Sequence, residues 1–193
     1  MMKTEQQFFE EAKSLAQYMD DMTQLKDWSF AIYEKFEVPT DDGFVEKLRN
    51  ANVHILTITE DWCGDAMLNN PIIRKVAEAA NIEIRAVLRD ADTDLIDRHL
   101  TNGGRSIPIY LVLNEAGDVV AKWGPRAREL QQLVMDGRAQ LPAQDDPQFE
   151  KAQQQFYINL RTRYAEDDTL WTYVYESFKV QVLEELLAKK QTI

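Results

Sequence analysis

Val53-His54-Ile55-Leu56-Thr57-Ile58-Thr59-Glu60-Asp61-Trp62-Cys63-Gly64-Asp65-Ala66 is the stretch that decides how the rest of the chain is read. Its first seven residues are mostly apolar and β-branched, the composition of a strand. From Ala66 to Ala80 the apolar positions Leu68, Ile72, Ile73, Val76 and Ala77 follow helical spacing. A strand that runs into a helix leaves Cys63 at the helix N-terminus. Unpaired backbone N–H groups and the positive end of the helix dipole meet it there, and both favour the thiolate, the reactive form of cysteine. Asp61 and Asp65 flank it and oppose ionisation by like charge. A buried, inert thiol is the competing reading of a free cysteine.

Outward from this stretch, strand and helix patterns alternate. Ile82 to Leu88 reads as a second strand and Asp94 to Leu100 as a short helix. Ile109 to Leu113 and Val119 to Trp123 read as two more strands, separated by the hairpin composition Asn114-Glu115-Ala116-Gly117-Asp118. Arg128 to Asp136 closes the zone as a helix. The order β-α-β-α-β-β-α over residues 51–140 predicts an α/β fold, a central mixed sheet with helices on both faces.

The flanks are helical. In residues 1–50, Phe8, Phe9, Ala12, Leu15, Ala16, Met19 and Met22 share one helical face, and Leu25, Trp28, Ile32 and Phe36 repeat the pattern. Val38-Pro39-Thr40-Asp41 breaks it, and a short helix follows through Phe44, Val45 and Leu48. In residues 141–193, Asp146-Pro147 reads as a cap with a first-turn proline, ahead of a helix through Phe149, Phe156, Leu160 and Tyr164. Glu166-Asp167-Asp168 opens another through Trp171, Tyr175, Phe178 and Leu186. The aromatic residues read as packing. The expectation is one compact unit: a helical extension over 1–50, the α/β domain over 51–140 and a second helical extension over 141–193.

Composition narrows the function. The chain has 193 residues with a formal net charge of −11, which argues against nucleic acid or an anionic membrane as the main partner. The opening residues carry acids where a secretory signal is apolar, and no apolar run approaches membrane-spanning length, so a cytoplasmic location is expected. One cysteine excludes an internal disulfide. His54 and His99 lack ligand spacing to Cys63 or to each other, and Asp90-Ala91-Asp92-Thr93-Asp94 lacks the glycine and glutamate of a calcium loop. Asp92 or Asp94 reads instead as a helix cap. No metal and no cofactor are expected.

The surroundings of Cys63 resemble the thioredoxin family. Trp62-Cys63-Gly64-Asp65-Ala66 is similar to the family's W-C-x-x-C site. Pro71 stands where the family has a proline in the active-site helix, and Arg105-Ser106-Ile107-Pro108 resembles its cis-proline loop. Gly117 and Gly124 fall in family-like places. The resemblance covers roughly residues 51–137 and is strongest to a bacterial branch of ill-defined function with helical extensions. It implies a thioredoxin-like fold and thiol–disulfide exchange with Cys63 as the catalytic nucleophile. The partner would be a protein disulfide or thiol, or a low-molecular-weight thiol. The resemblance also implies a partner-binding surface of Trp62, Gly64, Asp65, Ala66, Ile107, Pro108 and Gly124, with Arg105 and Trp123 as further contacts. Trp123 reads equally well as strand-end packing.

Two departures bear on the chemistry. Ala66 occupies the place of the second cysteine, so a mixed disulfide could form but not be resolved within the chain. An alanine there fits a natural monothiol member and equally an engineered replacement of a resolving cysteine. The buried acid of many thioredoxins would fall at about Thr57, which cannot serve as a base. The alternative to an oxidoreductase without a resolving cysteine is therefore a redox-inactive binding module that uses the groove around the cis-proline.

Overall fold

Thr4 opens the first helix, α1 (Glu5–Glu11), through a reciprocal cap: its hydroxyl accepts from the Gln7 N–H, and the Gln7 side chain accepts from the Thr4 N–H. The structure, a computed structural model, describes residues 2–190, with side chains through residue 188. The single helix expected across Phe8 to Met22 is broken. Ala12 is extended, Lys13–Ser14 form a short strand β1, and Ser14 caps α2 (Leu15–Asp21). The break sends the two halves of the expected face to opposite sides of the sheet: Phe8 and Phe9 join one apolar cluster, and Leu15, Met19 and Met22 join the other. Then come α3 (Lys26–Lys35) and α4 (Phe44–Arg49).

The decisive stretch forms β2 (Val53–Thr59) and α5 (Gly64–Ala80), with Cys63 at the N-cap and Pro71 inside the helix. Next follow β3 (Ile84–Leu88), α6 (Thr93–Asp97), β4 (Ile109–Asn114), β5 (Val119–Trp123) and α7 (Arg128–Ala139). Asp92 caps α6 by accepting from the Asp94 N–H at 3.1 Å, one of the two caps expected. The chain closes with α8 (Phe149–Glu166) and α9 (Asp168–Lys190). Asp146 does not cap α8 directly. It accepts from the Gln148 N–H at 2.7 Å in a turn, and the helix starts at Phe149.

Among the described residues the sheet has five strands in the order β1-β3-β2-β4-β5. Only β2 and β3 run parallel; the other pairs are antiparallel. Alternation along the strands divides the core in two. Ile55, Tyr110 and Val112 point to the face that packs α2, α3, α4, α5, α7, α8 and α9. Leu56, Ile58, Ile109, Leu111 and Leu113 point to the other, covered by Phe8 and Phe9 of α1 and Leu95 and Ile96 of α6. No helix among the described residues is long and apolar enough to cross a membrane.

Candidate functional site

Cys63 lies where β2 hands over to α5, facing the loop before β4. Its Sγ accepts from the Ala66 N–H at 3.5 Å and donates to the Ile107 carbonyl at 3.6 Å. The Ile107–Pro108 peptide is cis, as the resemblance implied, and so is Gly124–Pro125. Gly124 has φ +120°, and a Cβ there would stand 2.3 Å from the Pro108 carbonyl oxygen. A side chain at 124 would collide with the backbone of the cis-proline loop, so glycine is what lets these two loops touch.

Cys63 is only 8% exposed. Burial, reinforced by the Asp65 charge, pushes the thiol up to about 11, against N–H groups of Ala66 and Asp65 that pull it down. The competition left open by the sequence is thus decided by desolvation. Asp61 takes little part, because it turns away: its Oδ2 accepts from the Thr23 N–H and hydroxyl, both at 2.9 Å, and from the Gln24 N–H at 3.2 Å. Those bonds outweigh burial and hold its carboxyl below the usual range.

Asp65 faces inward. Its carboxylate accepts from the Tyr164 hydroxyl at 3.0 Å and pairs with Arg126 at 2.7 Å. Burial first, then the Asp65 charge, raise the Tyr164 hydroxyl well above its ordinary value, so it stays a donor. Asn69, one turn on, donates to the Pro125 carbonyl at 2.8 Å. The C-terminal helix α8 and the Gly124-Pro125-Arg126 loop are thereby tied to the first two turns of α5.

The outer rim is more open. Trp62 is 42% exposed, and the Arg89 guanidinium lies over its ring at 5.0 Å. Arg89 also donates to the Arg105 carbonyl at 3.1 Å, while Arg105 forms a two-pronged pair with Asp97. Gly64 and Gly124 are half-buried, and Ile107 and Pro108 are buried.

A family model for thioredoxin matches residues 12–144. The chain belongs to the thioredoxin family. Two solved structures share the fold of this thioredoxin relative. One is an HIV epitope-scaffold, 19% identical, with a TM-score of 0.63 over 96% of this chain and 99% of that one. The other is a protein of unknown function from Pseudomonas aeruginosa, 18% identical, with a TM-score of 0.56 over 90% and 98% of the two chains. Among curated proteins there is no match.

Set on this thioredoxin fold, the expected site residues divide. Cys63, Trp62, Gly64, Ile107, Pro108 and Gly124 gather around the sulfur, and Arg105 reaches the rim through Arg89. Ala66, at 2% exposure, is sealed beneath Cys63 and offers only its N–H, and Asp65 is committed to Tyr164 and Arg126. Trp123 is not brought to the site. It is 5% exposed, its Nε1 donates to Ser177 of α9 at 2.9 Å, and the packing reading is the one the structure bears out. Thr57 is fully buried opposite Tyr110. The residues missed from sequence are Arg126, Arg161 and Tyr164. They come from a loop and from α8, and no local spacing links them to Cys63.

Proposed function

We propose that this thioredoxin-family chain is a binding module that holds an extended polypeptide segment at the rim of the Cys63 site, with the thiol protonated at rest. The observation that carries this reading is the burial of the sulfur. A thiol pushed up to about 11 leaves on the order of one molecule in ten thousand as thiolate near neutral pH, too few for ready attack on a disulfide. What the site presents outward is recognition chemistry. Trp62 offers an exposed ring, and the Ile107 N–H has no hydrogen bond among the described residues, so the backbone of an extended segment could pair there.

Thiol–disulfide exchange is the second reading, favoured by the Ala66 N–H that points at Sγ. In that cycle the Cys63 thiolate attacks one sulfur of a partner disulfide, the other sulfur leaves as a thiolate, and an external thiol then displaces Cys63 from the mixed disulfide. The deciding experiment measures binding of a fluorescein-labelled heptapeptide library, free of cysteine, to the wild type and to Cys63→Ser under reducing conditions. Equal binding by the two proteins, lost in Trp62→Ala, is expected. Absence of binding, together with rapid alkylation of Cys63 at pH 7, would transfer the assignment to exchange.

A further inference from the structure

Three arginines meet the Trp62–Asp65 stretch, and a fourth, Arg105, is joined to it through Arg89, in a chain whose net charge is −11. They arrive from separate parts of the fold: Arg89 after β3, Arg105 before Pro108, Arg126 after β5 and Arg161 on α8. The first three are paired, Arg89 with Asp90 at 2.8 Å, Arg105 with Asp97 at 2.6 Å and Arg126 with Asp65 at 2.7 Å. Arg161 differs. Among the described residues it makes no hydrogen bond and no ion pair, yet it is half-buried. Every other half-buried arginine, namely Arg74, Arg85, Arg89 and Arg126, has a carboxylate partner.

The position of Arg161 is specific. A Cβ on Gly64 would lie 3.7 Å from its Cγ and 3.8 Å from its Nε, so the base of the guanidinium sits against the residue that follows Cys63. A guanidinium held here without a carboxylate keeps its planar set of donors free for an incoming anion. The neighbouring carboxylate cannot serve, because Asp65 is turned inward and already holds Tyr164 and Arg126. Of the four arginines, Arg161 is thus the one with no carboxylate partner, while Glu60 and Asp61 of the same loop bond only to N–H and O–H groups. The chain's net charge of −11 disfavours an acidic segment in general, so a contact with Arg161 is what would fix where its acid sits.

We propose that Arg161 receives a carboxylate side chain of the bound polypeptide, making the partner segment acidic at the residue that lies over Gly64. The assignment rests on the binding reading above and adds its specificity. Its test uses the same heptapeptide library, scanned position by position, on the wild type, Arg161→Gln and Arg128→Gln. Arg128, on α7, is exposed and also unpaired among the described residues, so it controls for a general loss of charge. In the wild type, Asp and Glu should be preferred about fivefold over Asn and Gln at one position, the size of a partly shielded ion pair. Arg161→Gln should abolish the preference while neutral peptides bind as before, and Arg128→Gln should keep it. Binding with no acidic preference, or with a preference that survives Arg161→Gln, overturns the role of Arg161 and leaves the binding reading intact. No binding of any peptide overturns both.

Discussion

At Cys63 the end of α5 favours the thiolate and the surrounding protein opposes it. Two N–H groups aim at the sulfur, but a site that is 8% exposed cannot hydrate a negative charge, and the Asp65 carboxylate adds repulsion. The consequence for stability has a definite sign. The folded thiol titrates near 11 against an ordinary 9.0, so the stabilisation from keeping it protonated is complete below pH 9 and is lost as the pH rises through 11. A gap of that size corresponds to about 2–3 kcal/mol. Urea unfolding at pH 8 and pH 11 should show the wild type losing roughly that much more stability than Cys63→Ser. Equal losses in the two proteins would show that the sulfur is better hydrated than its burial indicates. That Cys63 would sit at a helix end was legible in sequence, because a β-branched run passing into helical spacing locates the junction. The outcome of the competition was not, since it depends on Tyr164 and Arg126, and the first of these lies ninety-nine residues from Asp65.

Among the elements, those with strong periodicity were readable: β2, α5, β4, β5 and both closing helices lie close to where apolar spacing puts them. The element that was not readable is β1. Lys13 and Ser14 are polar and exposed, and their strand character comes only from pairing with Arg85 and Ala86 of β3. This pairing sets where α1 docks, and both histidines of the chain hold α1 in place. His54 Nε2 meets the Gln6 side chain at 2.7 Å, with its ring 4.3 Å from that of Phe9, and His99 Nε2 meets Glu5 at 3.0 Å. Burial lowers both histidines, with Arg85 adding to the effect at His54, and Lys122 and Arg98 at His99. Glu83 and Glu5 oppose it. Because the folded values are depressed, the stabilisation from neutral rings is present above pH 6.5 and is lost as the pH falls below it. Hydrogen exchange, corrected for intrinsic rates, should therefore show the α1 amides opening more readily at pH 5 than at pH 7.5 while those of α5 change little. Glu5→Gln, which removes the opposing charge at His99, should enlarge the difference. Protection of α1 that does not change with pH would mean that the histidines do not govern its docking.

For the whole molecule, the three zones distinguished by pattern share one core on the α5 side of the sheet. Phe178 of α9 shows how closely they are joined. It is fully buried, and its ring lies 6.0 Å from Phe44 of the N-terminal zone and 6.4 Å and 5.7 Å from Tyr110 and Trp123 of the sheet. The edge-on geometry of all three contacts is the favourable one for aromatic pairs. A side chain that touches all three zones cannot be removed at the expense of one of them alone. Phe178→Ala should cost about 3–5 kcal/mol through lost burial and the cavity left behind. Unfolding should remain a single transition, because the N-terminal zone, the sheet and the closing helices lose the same contact together. Calorimetry and urea unfolding followed by far-UV circular dichroism and by tryptophan fluorescence test this directly. Coincident curves shifted to lower denaturant are expected. A variant in which the helical signal melts in two steps, with the sheet persisting after α9 is released, would show that the C-terminal extension is a separable addition to the thioredoxin fold and not part of its core.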